Sequence, residues 1–520
     1  MSTPRTWLLT LVVFTAFLAL IGFATFGQED EWTTVEPEVV GLDGGRLETM
    51  REVIEGLDLP VDSIVILRHG KLVFEHHADP LRKGPNKIHN LYSTTKSVTS
   101  LLIGIAIDKG YIESVDQRVI DFFPDRDIAN VDDRKRRMTI EHLLTMTSGL
   151  EWEGPDDMYH SWGEAIMSGD PVQYTLDQPM AHEPGEAWYY NGGGSHLLSA
   201  ILTEATGTTT YRFAREHLFG PLGITRVRWP RDPNGIYYGG QDIWLTPYGM
   251  AKLGQLFLNG GIWKGERIVS SEWVADSTRT LAPSWWGGYG YQWWTFPEAG
   301  IYFAAGAFEQ RIYASPDLDM IVVVTSSNMA EGTRESAGER SEGPPVVEWL
   351  LGRFILPAAD GYTGAEYEAF GFAVEKPLIA TPRTVYTSGD NPAAAISGRI
   401  LFDYGGCPLE ETGVQWEPTD APYAFEAALE GFLGVAETSG LRFGECGPLQ
   451  AAVLGGRVLV YQRSDLIVED RTLRGVVGVT FSAPDERAYL LYYTAEERLS
   501  EWIDPIAGFK DFFRGFEPSG

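Results

Sequence analysis

Ser93 and Lys96 lie three residues apart in the stretch LYSTTKSVTSLLIGIAIDKG at 91–110, the single Ser-x-x-Lys of the chain. A hydroxyl and an amine one helical turn apart can exchange a proton when the amine is neutral, and the hydroxyl then becomes a nucleophile. The surrounding residues predict that arrangement. Ser93, Thr94 and Thr95 are helix starters whose hydroxyls bond free backbone N–H groups. Val98, Leu101, Leu102 and Ile105 fall on one helix face, and Gly110 after Asp108-Lys109 is the stop. Ser93 and Lys96 therefore share a face in the first turn of a mostly buried helix. The positive end of a helix repels an ammonium, and burial disfavours it further. Bringing a lysine from its usual pKa of roughly 10.4 to about 7 takes roughly 4–5 kcal/mol of differential destabilisation. A surface lysine beside a capping serine has the same local sequence, so the pair acquires meaning only from the elements around it.

Those elements alternate in character. VDSIVILRHGKLVFEHH alternates as two strands about a His69-Gly70 turn. The Ser93 helix follows, then a helix from 139 that runs into a glycine-containing loop, then a loop-rich stretch at 155–195. SHLLSAILTEATG, TPYGMAKLGQLFLNGG and PPVVEWLLGRFILPAA are helical, and IYFAAGAFEQRIYASPDLDMIVVVTSS gives two strands joined at Pro316-Asp317. Strands at both ends with helices between imply an α/β (α+β) class with antiparallel pairing across distant parts of the chain. From about 365 the texture becomes short strand-like runs between turns, such as GRILFDY, GRVLVYQ and RAYLLYYT, which predicts a β-rich C-terminal domain over 365–520 beside a main domain over 35–360.

The chain has 520 residues, a formal net charge of −31 and 16 Trp. Length favours two or more domains. The acidity argues against a nucleic-acid partner, which needs a basic face. Within residues 1–28, the uncharged run Trp7–Phe26 after Arg5 is about 20 residues, enough to cross a membrane once. With positive charge inside, the remainder lies outside the cytoplasm. The run is read as an uncleaved anchor, with a signal peptide cleaved after Ala24 as the alternative. Cys407 and Cys446 are the only cysteines, and one disulfide between them is expected in an exported chain. Neither HExxH nor CxxC is present, so no metal is implied, and the absence of GxSxG excludes the nucleophile elbow of α/β-hydrolases.

Several segments taken in order resemble the serine hydrolases of the β-lactamase-related family, which includes class C β-lactamases, D-Ala carboxypeptidases, esterases and aminohexanoate-oligomer hydrolases. They are YSTTK at 92–96, TIEHLLTMTSGLEW at 139–152, EPGEAWYYNGGGSHLLSAIL at 183–202, LTPYGMAKLGQLFLNGGIW at 245–263 and YFAAGAFEQRIYASPDLDMIVVVTSS at 302–327. The resemblance covers roughly 40–357 and leaves the β-rich part without an assignment. It implies a β-lactamase/transpeptidase-like antiparallel sheet flanked by helices. The family's tyrosine motif, counted from Pro184-Gly185, falls on Tyr190, with Tyr189 as runner-up. Gly192 stands where the family carries a polar side chain, with Asn191 and Ser195 as nearby polar substitutes. The family's Lys-Thr-Gly or His-x-Gly motif maps to Ala304-Ala305-Gly306, where the cationic member is missing. That loss points away from carboxylate-bearing penicillins and toward neutral esters or amides.

The resemblance implies a mechanism without cofactor. Ser93 attacks a carbonyl, and either neutral Lys96 or the Tyr190 phenolate takes its proton. The backbone N–H groups of Ser93 and Ala307 hold the oxyanion, with Ala305 and Gly306 along the substrate. The expected partner is a small ester or amide. A D-Ala-specific peptidase or β-lactamase, and a non-catalytic anchored binding module with a degenerate site, are the alternatives. Trp152, Trp162, Trp285, Trp286, Trp293 and Trp294 are candidates for a cleft or for the core. Gln310, His142 and His182 read as structural, and His196 follows the tyrosine loop.

Overall fold

The computed structural model describes residues 32–79, 84–152, 160–284, 286–327 and 346–360, and beyond 360 the backbone of the strands alone. In chain order the elements that build the site are α1 (Gly44–Gly56), β1 (Val61–Arg68), β2 (Lys71–His77), α2 (Thr95–Asp108), α3 (Gly192–Thr206), α4 (Pro247–Leu258), β3 (Ala282–Ser284), β4 (Gly287–Tyr289), β5 (Trp294–Phe296), β6 (Ile301–Gly306), β7 (Gln310–Ser315), β8 (Met320–Ser326) and α5 (Val346–Leu350). The strands form one eight-stranded sheet in the order β2-β1-β8-β7-β6-β5-β4-β3. Its paired strands run antiparallel.

The N-terminal hairpin enters this sheet beside its last strand, β1 pairing with β8 from Arg68↔Met320 to Val61↔Ser326. The hairpin turns where expected. His69 and Gly70 both take left-handed backbone (φ 51° and 66°), the twist that suits a tight connection between two strands. Every position of β1, β6, β7 and β8 is buried. A strand covered on both faces must be apolar at successive positions, which accounts for the run MIVVV at 320–324. Alternate residues feed two cores. Ile64, Ile66, Phe303, Val322 and Val324 pack with α1 and α5. Val65, Leu67, Ile312, Ile321 and Val323 pack with α2, α3 and α4.

Helix α2 differs from expectation at its start. Ser93 belongs to a 3₁₀ turn, Tyr92–Thr94, and the α-helix begins at Thr95. The hydroxyls do not cap it. Thr95 Oγ1 donates to the Tyr92 carbonyl at 2.5 Å and accepts from the Ile243 N–H at 3.0 Å. Asn90 Oδ1 accepts the Tyr92 N–H instead, at 3.0 Å. The cause is Tyr92, whose left-handed backbone (φ 45°) turns the chain too sharply for a regular first helical turn. The other end is as predicted: Gly110 is left-handed (φ 75°), and its N–H donates to the Ile107 carbonyl at 2.9 Å.

Beyond 360 the described backbone is strand. Ala365–Ala369, Phe372–Lys376 and Glu517–Pro518 form a three-stranded sheet, and a further eight-stranded sheet is built from strands between Thr381 and Glu496. The runs GRILFDY, GRVLVYQ and RAYLLYYT fall on Gly398–Asp403, Arg457–Val468 and Arg487–Glu496. Among the described residues no helix is long and apolar enough to cross a membrane. The run Trp7–Phe26 lies outside the described residues, as do Cys407 and the side chain of Cys446.

Candidate active site

The Ser93 turn is fixed from three directions. The Leu91 N–H donates to the Ile243 carbonyl at 2.8 Å. Thr94 Oγ1 reaches the Gln310 carbonyl at 3.4 Å. The Tyr92 ring packs on Phe308 with centroids 4.8 Å apart. Held this way, Ser93 and Lys96 meet, with Oγ and Nζ 3.1 Å apart. Lys96 is 4 % exposed. Its Nζ also donates to the Gly240 carbonyl at 2.6 Å. Burial lowers its pKa from 10.5 to about 7, while the Asp242 carboxylate works in the opposite direction. A lysine so placed is largely neutral in mildly alkaline water and can accept a proton from a hydroxyl.

Tyr190 completes the cluster. Its hydroxyl stands beside Ser93, close enough to feel it electrostatically, and its ring lies under Lys96 with Nζ 4.8 Å from the centroid. Burial raises its pKa to about 12, opposed by the neighbouring Ser93 hydroxyl and the nearby Arg311 cation. It is therefore a phenol, not a phenolate, at ordinary pH. Tyr189 faces elsewhere. Its ring stacks on His182 with centroids 5.3 Å apart, and its N–H donates to the Met146 carbonyl at 2.9 Å. Adjacent residues of an extended segment point to opposite sides, so only Tyr190 joins Ser93.

The Gly240 carbonyl is held by helix α3. His196 and Asp232 form a wholly buried pair, Nε2 to Oδ2 3.1 Å. Asp232 Oδ1 accepts the N–H groups of Asn234 and Ile236, both at 2.9 Å. Thr99 Oγ1 donates to the Gly239 carbonyl at 2.7 Å. These contacts fasten the loop between Asp232 and Ile243 onto α2 and α3. Its tip, Asp242, has left-handed backbone (φ 69°) and accepts from Asn90 Nδ2 at 3.0 Å.

On the other side of Ser93 lies β6. It pairs with β5 only as far as Phe303↔Trp294, so Ala304, Ala305 and Gly306 continue beyond that pairing toward the Ser93 turn. Glycine is required at 306, because a Cβ there would stand 2.1 Å from the Leu91 carbonyl oxygen. Ala304 packs into the core under α2, Ala305 into the core under α1, and Ala307 follows half-buried in the turn. No side chain of this strand supplies a cation, as its sequence requires. Only backbone groups remain to contact a substrate there.

The tryptophans divide. Trp294 stacks on Tyr190 (5.8 Å, 24°) and touches Trp188 and Trp286, forming an aromatic wall beside the cluster. Trp152 and Trp162 form a separate cluster with Ala165, Trp162 lying close to Gly192. Trp293 is core, packed on Phe257, and Trp285 lies outside the described residues. Ser195 is not a substitute for the side chain missing at Gly192, since its hydroxyl donates to Gln292 Oε1 at 2.8 Å in the interior. Asn191 Oδ1 caps α3 through the Gly194 N–H at 2.9 Å. Gln310 ties the turn, its Nε2 donating to the Phe308 and Ser326 carbonyls at 2.8 and 2.6 Å. Sequence reasoning missed Gly240, Asp242, Trp188 and Arg311. Gly240 and Asp242 reach the site by long-range folding, whereas Trp188 and Arg311 fall within the segments at 183–202 and 302–327 but carry no residue-type signal of a site role. Among the described residues no group of three or more His, Cys, Asp or Glu side chains is gathered as a metal site.

Residues 48–342 match the family model described as Beta-lactamase. The chain is 25 % identical over 349 residues to the 6-aminohexanoate-dimer hydrolase of Paenarthrobacter ureafaciens, covering 62 % of this chain and 86 % of that protein. It is 27 % identical over 216 residues to the esterase EstB of Burkholderia gladioli, covering 37 % and 54 % of the two chains. Among solved structures it is similar to a penicillin-binding protein homologue from Caulobacter crescentus (TM-score 0.43, 18 % identity, 55 % of this chain and 92 % of that chain).

Proposed function

Since the chain belongs to the beta-lactamase family and is a hydrolase of the esterase or amidase type, we propose that it cleaves small neutral esters or amides through an acyl-enzyme on Ser93. The observation that carries this reading is the contact between Ser93 Oγ and the nitrogen of a lysine with a pKa of about 7. Neutral Lys96 takes the Ser93 proton as Oγ bonds to the substrate carbonyl carbon. The carbonyl oxygen takes up the negative charge and is met by the N–H groups of Ser93 and Ala307, an interaction typically worth roughly 3–4 kcal/mol per donor. As the carbon–heteroatom bond breaks, the phenol of Tyr190 passes a proton to the leaving group and is reprotonated from Lys96. Water, activated by the same groups in reverse, releases the acid and regenerates Ser93. Lys96, not Tyr190, is the base in this scheme, because a phenol with a pKa of about 12 is rarely ionised.

The test is a panel on the purified protein: a fluorophosphonate probe, p-nitrophenyl esters, an anilide, a chromogenic cephalosporin and a D-Ala-D-Ala peptide. The expected result is one adduct on the Ser93 peptide and turnover of ester or anilide. Preference for the cephalosporin or the peptide would select a β-lactamase or peptidase. Absence of both adduct and turnover would leave a binding module. We also propose that Trp7–Phe26 anchors the protein with its hydrolase region outside the cytoplasm. The support is an uncharged run following Arg5. The full-length protein is expected in the membrane fraction, and mature protein beginning at Thr25 would mean a cleaved signal instead.

A further inference from the structure

We propose that Arg311 is a positioning residue that aims and strengthens the Ala307 N–H toward the oxyanion, an inference that rests on the acyl-Ser93 reading. Arg311 lies on β7 opposite Ala305, and its side chain is 5 % exposed. Its Nη1 donates to the Gly306 carbonyl at 2.8 Å and to the Gln310 carbonyl at 3.2 Å. Its Nε donates to Glu348 Oε1 on α5 at 2.9 Å, and its guanidinium lies over the Trp286 ring at 5.4 Å.

The Gly306 carbonyl and the Ala307 N–H are the two ends of one planar peptide, and in a trans peptide they point in opposite directions. A cation on the oxygen therefore fixes the direction of the N–H. It also draws electron density from the nitrogen, which makes the N–H a better donor. An oxyanion hole depends on donors held in place before charge develops, and this contact does both.

The turn it holds is strained. Phe308 and Glu309 are consecutive non-glycine residues in left-handed backbone (φ 56° and 60°), a conformation that persists only where the surroundings enforce it. Helix α5 supplies the enforcement at two points. The Val347 N–H donates to Glu309 Oε1 at 3.3 Å. Glu348 receives Arg311 and also the Tyr313 hydroxyl at 2.7 Å. Arg311 does not replace the cation missing at Ala304. It occupies the opposite face of the sheet, and its charge is already matched by Glu348.

Arg311→Lys tests the inference, because an ammonium keeps the charge but cannot serve Gly306, Gln310 and Glu348 together. The variant is expected to melt several degrees below the parent, because it gives up buried hydrogen bonds, and is assayed well below its transition. Its kcat on a p-nitrophenyl ester should fall roughly tenfold to hundredfold, with KM changed by less than about threefold. The preference for the ester over its thionoester should narrow by a similar factor, since sulfur accepts hydrogen bonds weakly and gains little from the donor. A purely structural role would leave that preference alone. A folded variant with the parent's kcat, or with the parent's ester-to-thionoester ratio, overturns the proposal. If Arg311→Lys does not fold, Glu348→Gln, which releases the guanidinium without removing it, is read by the same ratio. Failure of the parent to label at Ser93 would remove the hydrolase reading and this inference with it. A labelled parent with an unchanged ratio removes this inference alone.

Discussion

The two flanks of Ser93 are built on different principles. On the helical flank, the proposed chemistry rests on side chains: Lys96 is one turn away on α2, buried and bonded to the Gly240 carbonyl. On the sheet flank, Ala304, Ala305 and Gly306 offer only backbone, and the polar side chains that matter lie behind it, at Arg311 and Glu348. The first flank needs a perturbed proton affinity, which burial provides. The second needs a fixed direction, which a braced turn provides. A site of this kind is broken on the helical flank by removing a group and on the sheet flank by letting one move.

The largest effect belongs to the group the two flanks share. Ser93→Ala is expected to lower ester hydrolysis by roughly 10⁴ or more with the melting temperature unchanged, because the hydroxyl contributes little packing. Residual activity within tenfold of the parent would place the nucleophile elsewhere. On the helical flank, Tyr190→Phe keeps the ring against Trp294 and removes the relay, so kcat should fall by roughly 10²–10⁴ without loss of stability. On the sheet flank, Gly306→Ala drives a methyl into the Leu91 carbonyl. Rate and stability should then fall together, the latter by about 1–3 kcal/mol as for other overpacked positions. Its thermal melt distinguishes it from Tyr190→Phe. The smallest effect is expected for Tyr189→Phe, whose ring stacks on His182, and kcat should stay near the parent's. If Tyr189→Phe were the impaired variant, the helical flank would have to be redrawn by one residue.

The same division governs what the sequence disclosed. Ser93 and Lys96 were legible from a three-residue spacing, and Tyr190 from the resemblance, whose tyrosine motif is counted from Pro184-Gly185; both signals are local in the chain. The β1–β2 hairpin was legible from alternation and from His69-Gly70. The 3₁₀ turn at Ser93 was not, because it depends on Tyr92 adopting left-handed backbone and on Asn90 receiving its N–H. Arg311 read as one more residue of a strand. Its meaning comes from the partnership with Glu348, 37 positions away, and no periodicity carries that. The acceptor for Lys96, Gly240, contributes a carbonyl, and a backbone group leaves no mark on residue type. The choice between Lys96 and a Tyr190 phenolate as base turns on the burial of both groups, which residue type alone does not disclose.

The most direct test of the account is the rate of Ser93 acylation by a fluorophosphonate as a function of pH. If neutral Lys96 is the base, only its deprotonated form reacts. The rate should then rise about tenfold per pH unit below about 7 and level off above it, with Tyr190 still protonated across the plateau. A rate that is flat through pH 7, or one that keeps climbing toward pH 10 and beyond, would contradict it.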